Sequence, residues 1–281
     1  MTGKLSVKGK VVLITGGSSG IGLATAVVFA QQGATVWLLA RDPQKLATAW
    51  AKVKEAGDGS GGILSADVTQ PEQVNQAVQH VIQKSCRLDI LINNAGITYP
   101  GYVHEIPLEI YHQLMDVNYF GCVHMVKAVL PEMMYRRSGY IVIVSSAAGF
   151  INGFGYAAYG ATKFAVSGFS QALRAEMKPY GIRVSVVFPC DTDTPQLAYE
   201  NEFKPPETRA LAAIAKVMQP EAVAKTILKG VQRRQYRILV GMDTKLVYLV
   251  NLLAFSAFQA YLDGIVRRVQ ETNNKSARSN R

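Results

Sequence analysis

Short apolar runs alternate with helical stretches along most of this chain, and that alternation leaves few folds open. The runs fall at residues 10–15, 35–40, 63–67, 88–93, 140–145 and 183–188, with a last one at 237–241. Each is too short for a helix and nearly continuous in apolar residues. Such runs read as strands buried on both faces. Between them lie stretches with helical character at 21–32, 43–56, 70–84, 108–134, 156–180 and 220–233. Strands alternating with helices mean βαβ units, hence a doubly wound parallel sheet with helices on both faces. With 281 residues and 49% apolar composition, one large core suffices. Residues 191–219 are polar and contain Pro195, Pro205 and Pro206, so they read as a mobile loop with short helices. No linker-like break separates domains. The division expected is a catalytic domain over residues 1–245 and an apolar helix with a basic tail over 246–281.

The first strand runs into Thr15-Gly16-Gly17-Ser18-Ser19-Gly20-Ile21-Gly22. A glycine-rich turn between a strand and a helix is what a dinucleotide site requires. Gly16 and Gly22 permit a tight turn and close backbone approach. The helix N-terminal amides, around Ser18, Ser19, Gly20 and Ile21, then face a pyrophosphate. The spacing Gly-x3-Gly-x-Gly differs from the common GxGxxG form. At the tip of the second strand stands Arg41 rather than an acid. A guanidinium there suits a 2′-phosphate, which favours NADPH; the plain alternative is a surface arginine. Asp42 is placed to cap the next helix instead. Asp67-Val68 ends the third strand, where the carboxylate either accepts from an adenine amino group or caps a helix. Asn93-Asn94-Ala95-Gly96 ends the fourth. It can turn beside the cofactor, with Asn93 mostly scaffold and partly cofactor contact.

Tyr159 and Lys163 are four residues apart in a helical stretch, hence on one face. A free phenol titrates near ~10, and a neighbouring ammonium favours its ionised form. The expectation is that Lys163 lowers the Tyr159 pKa, so that the phenol can exchange a proton with a substrate oxygen. Ser146 and Asn118 precede them in the chain.

In this order, Thr15–Gly22, Asn93–Gly96, Asn118, Ser146, Tyr159 and Lys163 resemble the short-chain dehydrogenase/reductase family over residues 8–245. The resemblance implies a Rossmann-type domain of about seven strands and a homodimer or homotetramer. It implies Tyr159 as general acid, with Ser146 polarising the carbonyl. Lys163 then binds the nicotinamide ribose, and Asn118 holds a water in a proton relay. After Pro189, where the family usually has a glycine, stands Cys190, followed by Asp191-Thr192-Asp193-Thr194-Pro195. By family position Thr192 and Thr194 touch the nicotinamide amide and the pyrophosphate; as plain chemistry the run is a capped loop. This run, residues 201–209 and residues 263–268 are similar to those of the 3-ketodihydrosphingosine reductases, a group within the family. Eukaryotic members of that group often begin with a membrane helix, which residues 1–10 do not resemble. The implied activity is NADPH-dependent reduction of a long-chain 2-amino-3-ketone at C3. Other hydrophobic ketones (a steroid, a retinoid, a 3-oxoacyl chain) stand as alternatives, as does a non-catalytic nucleotide-binding scaffold.

Charge is uneven. Of the net +10, residues 225–281 supply +8, from eleven Lys/Arg against three Asp/Glu. A nucleic-acid binder would stripe its charge along a groove. Here the basic tail accompanies a seventeen-residue apolar stretch at 246–262. That is short of the ~20 residues a membrane span needs. It suits an interfacial helix, with subunit packing and spanning as alternatives. Cys86, Cys122 and Cys190 and the four histidines show no metal-ligand spacing, so no metal is expected. Sparse unpaired cysteines suit a reducing, cytoplasmic setting, with membrane association through the tail.

Overall fold

The computed structural model describes residues 4–279. Residues 1–3, part of the N-terminal stretch considered above, and residues 280–281, the end of the basic tail, lie outside the described residues. Among the described residues there are seven strands: β1 (Val11–Thr15), β2 (Thr35–Ala40), β3 (Gly61–Ser65), β4 (Ile90–Asn93), β5 (Gly139–Val144), β6 (Ile182–Phe188) and β7 (Arg237–Leu239). They form one all-parallel sheet in the order β3-β2-β1-β4-β5-β6-β7. The helices are α1 (Gly20–Gln31), α2 (Pro43–Ala56), α3 (Pro71–Ser85), α4 (Leu108–Met115), α5 (Gly121–Tyr135), α6 (Ala157–Met177), α7 (Pro195–Phe203), α8 (Pro206–Ala212), α9 (Pro220–Gln232), α10 (Gly241–Leu253) and α11 (Phe255–Ser279). This is the doubly wound α/β architecture expected.

Two cores cover the sheet because successive strand residues point to opposite faces. Val12 and Ile14 of β1 join Phe29 of α1, Leu46 of α2 and Ile227 of α9 on one face. Val11 and Leu13 join Val78 of α3, Met125 of α5 and Val166 of α6 on the other. Each fully buried Leu, Ile or Phe is worth about 1.5–3 kcal/mol, and strands buried on both sides gather most of that return.

Three local departures from the expected pattern matter. β3 begins at Gly61, earlier than the apolar run, because Gly61 and Gly62 already pair with Val36 and Trp37 of β2. The stretch 108–134 is one continuous path interrupted by a π-helical turn, Asp116–Phe120, which carries Asn118. The apolar run 246–262 does not form one helix. It breaks at Ala254, and α10 and α11 are bent by 118°. No single described helix is long and apolar enough to cross a membrane; the bent pair passes that test only jointly.

The strand order reverses between β1 and β4. The chain leaves these two strands toward opposite sides, which opens a crevice at their carboxyl ends.

Candidate active site

That crevice deepens into a cavity of about 560 Å³. Of the expected site residues, all but Gly22, Asn93 and Asn118 line it. Its floor is the β1–α1 turn. Gly16 has φ +64, a left-handed conformation that favours glycine. Gly22 is needed for another reason: a Cβ there would stand 2.2 Å from the Gly16 carbonyl oxygen. Asn94 closes the turn. Its Nδ2 donates to the carbonyls of Thr15 (3.1 Å) and Gly16 (3.3 Å), while its N–H donates to Thr15 Oγ1 (3.0 Å). The Ser19 side chain makes no capping bond to α1. The first-turn N–H groups of that helix are therefore the natural partners of an anion in the cavity. Thr194 packs its methyl against Gly20, which brings the loop after β6 onto the same turn. A dinucleotide pyrophosphate fits this cradle.

Arg41 lies exposed at the rim, and Lys45, one turn into α2, lines the same wall. Asp42 caps α2 as expected, accepting from the N–H groups of Gln44 (3.0 Å) and Lys45 (2.9 Å). Asp67 is half-buried. One of its oxygens accepts from the N–H and Oγ1 of Thr69, both at 2.9 Å, so it closes a turn rather than capping α3, whose N-cap is Gln70, and it also faces the cavity. Val68, Ala95, Gly96, Pro189 and Thr192 complete the wall. Asn93 lies on the scaffold side: its Nδ2 donates to the Cys122 carbonyl (3.3 Å) inside the protein. Cys190 is half-buried, and burial raises its thiol pKa, which does not suit a nucleophile.

Ser146 follows β5 and accepts from the Ala148 N–H at 3.1 Å. Its side chain and that of Tyr159 line the same cavity. Lys163 is buried one turn along α6. Its Nζ donates to the Val144 carbonyl (3.1 Å) and lies 5.6 Å from the Tyr159 ring centroid. Burial lowers the Lys163 pKa to about 8. Asn118 locks the π turn to the loop after β4: it accepts from the Ile97 N–H (2.8 Å) and donates to the Ile97 carbonyl and Thr162 Oγ1, both at 2.9 Å. Asn118 Oδ1 and Lys163 Nζ both lie beside Gly96.

The Tyr159 pKa departs from expectation. It is raised above the ordinary phenol value, first by burial and then by the Glu200 carboxylate, while hydrogen bonds to Ser146 and Gln196 act in the opposite sense. Burial decides the direction, because it penalises the charged phenolate. A phenol so held keeps its proton at neutral pH.

A family profile described as short chain dehydrogenase matches residues 10–205. The chain belongs to this family. It is 38% identical over 243 residues to a 3-ketodihydrosphingosine reductase of Bos taurus, and 40% identical over 243 residues to a 3-dehydrosphinganine reductase of Danio rerio. Each match covers 85% of this chain and 73% of the relative. A short chain dehydrogenase/reductase from Burkholderia phymatum, solved in complex with NAD, shares the fold with a TM-score of 0.80. It is 22% identical, covering 90% of this chain and 96% of that one. The chain is thus an oxidoreductase of the short-chain dehydrogenase family, and its cofactor is a nicotinamide dinucleotide.

Beyond the family motifs the structure adds residues that the sequence reading passed over. Asp191, Gln196, Glu200 and Lys204 come together beside Tyr156 and Tyr159. Lys204 Nζ lies 3.2 Å from Asp191 and 3.5 Å from Glu200. Tyr156 donates to Glu200 at 2.6 Å. A signal was present: Gln196, Glu200 and Lys204 are spaced i, i+4, i+8, one polar stripe on a short helix. Asp191 lies just upstream on the loop.

Proposed function

We propose that the chain reduces 3-ketosphinganine to sphinganine with NADPH. The observation that carries this reading is the cavity. It runs without interruption from the dinucleotide cradle past Tyr159 to a wall built by Leu211, Ile214, Val247, Phe258 and Leu262. A polar head beside Tyr159 and an apolar tail along that wall describe a long-chain ketone. Likeness to reductases named for this substrate points the same way. A reduced nicotinamide, when bound, supplies the hydride. The ketone oxygen gathers negative charge as its carbon is reduced. Ser146 is placed to donate a hydrogen bond to that oxygen, and Tyr159 to give it the proton that completes the alcohol. Lys163 holds its ammonium beneath Tyr159 and is placed to meet the cofactor ribose, and Asn118 keeps the loop over it in register. NADPH oxidation by purified protein, assayed with 3-ketosphinganine, a steroid ketone and a 3-oxoacyl ester, tests the reading. Preference for either of the last two overturns it.

The choice of NADPH rests on Arg41, with Lys45 as a second cation on the same wall. Arg41→Ala is expected to weaken NADPH roughly ten- to hundredfold while changing NADH little, since a charge-assisted contact is worth about 1.5–3 kcal/mol. Titration of both cofactors by fluorescence checks this; equal loss for both removes Arg41 from a phosphate site.

The C-terminal segment is proposed to rest on a membrane, at its cytosolic face. Leu246, Leu249, Leu252, Leu253 and Phe255 are exposed around the bend, Leu253 at 75%, and Arg267 and Arg268 follow. Apolar side chains so displayed suit an interface, with basic residues at anionic headgroups. Deleting the segment would also remove Val247, Phe258 and Leu262 from the cavity wall, so substitution is the cleaner test. Leu249→Glu with Leu253→Glu is expected to weaken binding to anionic vesicles at least tenfold at any salt concentration. A homodimer or homotetramer built through this face is the rival. Vesicle binding left unchanged while light scattering shows a smaller particle would favour that rival.

A further inference from the structure

We propose that Glu200 is the site's receptor for a protonated amine, which it holds next to the carbon being reduced. The proposal deepens the reading of the site as a ketone reductase and rests on it for the position of the reacting carbon. Glu200 is only 6% exposed, yet it lines the cavity. Its two oxygens are unequally served. Oε2 accepts from the Tyr156 hydroxyl at 2.6 Å and lies 3.5 Å from Lys204 Nζ. Oε1 has one long contact, from Gln196 Nε2 at 3.4 Å. Lys204, itself buried, is closer to Asp191, at 3.2 Å. One ammonium therefore serves two carboxylates, and the cluster keeps one uncompensated negative charge.

A buried carboxylate left short of partners is costly. A reductase for a neutral ketone would have no use for it, because its field works against charge movement at Tyr159. A ligand that brings a cation resolves both difficulties. Tyr156 fixes where that cation belongs: its hydroxyl donates to Glu200 and its ring packs against the Tyr159 ring, so the carboxylate stands one side chain away from the proton donor. The ligand group that fits is an ammonium on the carbon adjacent to the ketone. The remaining role open to the cluster is structural, tying α7 to the loop after β6.

Two measurements separate these roles. The first is calorimetric binding, with NADP+ present, of a shortened-chain sphinganine analogue and of its N-acetyl derivative. Wild-type protein is expected to bind the free amine at least tenfold more tightly, and Glu200→Gln to bring the two within about threefold. The second is the ratio of kcat/KM on 3-ketosphinganine to kcat/KM on the same long-chain ketone without the amine. That ratio is expected to fall roughly ten- to hundredfold in Glu200→Gln, mostly through KM, as loss of a charged hydrogen bond implies. Glu200→Asp, which keeps the charge, should keep the preference for the amine. Equal wild-type affinity for amine and N-acetyl ligand overturns the proposal whether or not any variant folds. So does a preference that survives in Glu200→Gln. If the amine binds through Glu200 but 3-ketosphinganine is not reduced, the substrate assignment fails and the ammonium site stands. If 3-ketosphinganine is reduced with no preference for the amine, the ammonium site alone fails.

Discussion

Replacing Tyr159 by phenylalanine is expected to lower turnover by roughly 10²–10⁴, the usual worth of a positioned general acid. The substitution removes one oxygen and keeps the ring. That ring packs 5.8 Å from the Tyr156 ring, centroid to centroid, a contact phenylalanine reproduces. Cofactor affinity should stay within about threefold, because the cradle for the dinucleotide is built by the β1–α1 turn. Only the proton bound for the ketone oxygen is lost. Single-turnover oxidation of NADPH, beside a fluorescence titration of the same cofactor, measures both quantities. A variant that keeps more than a tenth of wild-type activity would mean that the proton comes from elsewhere.

Gly22→Ala should separate affinity from stability. The new methyl would stand 2.2 Å from the Gly16 carbonyl oxygen and 2.6 Å from Asn94 Nδ2. Neither neighbour can yield without moving the turn, since Asn94 holds it through its bonds to Thr15 and Gly16. Overpacking of this kind costs about 1–3 kcal/mol. Alanine in place of glycine within a helix returns about 1 kcal/mol. The net effect on unfolding is therefore small, while the turn itself is displaced. NADPH affinity is expected to fall about five- to hundredfold with a melting temperature changed by only a few degrees. Calorimetric titration and a thermal melt on one preparation test this, and an affinity within twofold of wild type would refute it.

How far the sequence could be read depended on whether the determinants were local. The strands were visible because burial on both faces leaves unbroken apolar runs. The glycine turn and the Tyr159–Lys163 spacing were visible because each lies within a few residues. Cap assignments such as Asp42 followed from single-residue chemistry. The break at Ala254 was not visible, for the apolar run passes through it unchanged and only the path of the folded chain reveals the bend. Lys45 and Glu200 were missed because their neighbours are brought in by the fold: Lys45 by the return of β2 beside β1, Glu200 by the loop that sets α7 over α6. The Tyr159 pKa was misjudged for the same reason. An i, i+4 ammonium can be counted from sequence, but depth of burial and a carboxylate from another helix cannot.

One feature of the two cores bears on how such a protein can change. Among the described residues, neither core includes a side chain from residues 189–217, the segment that carries Asp191, Gln196, Glu200 and Lys204. Stability is vested in the sheet and the helices that cover it, whereas the charged cluster facing the cavity sits in a segment set outside them. Mutations there can redraw the substrate range at little expense to the fold. Descendants of one ancestral reductase could thus gain or lose a preference for charged ketones by rewriting a few of these side chains, with the sheet and the β1–α1 turn inherited intact.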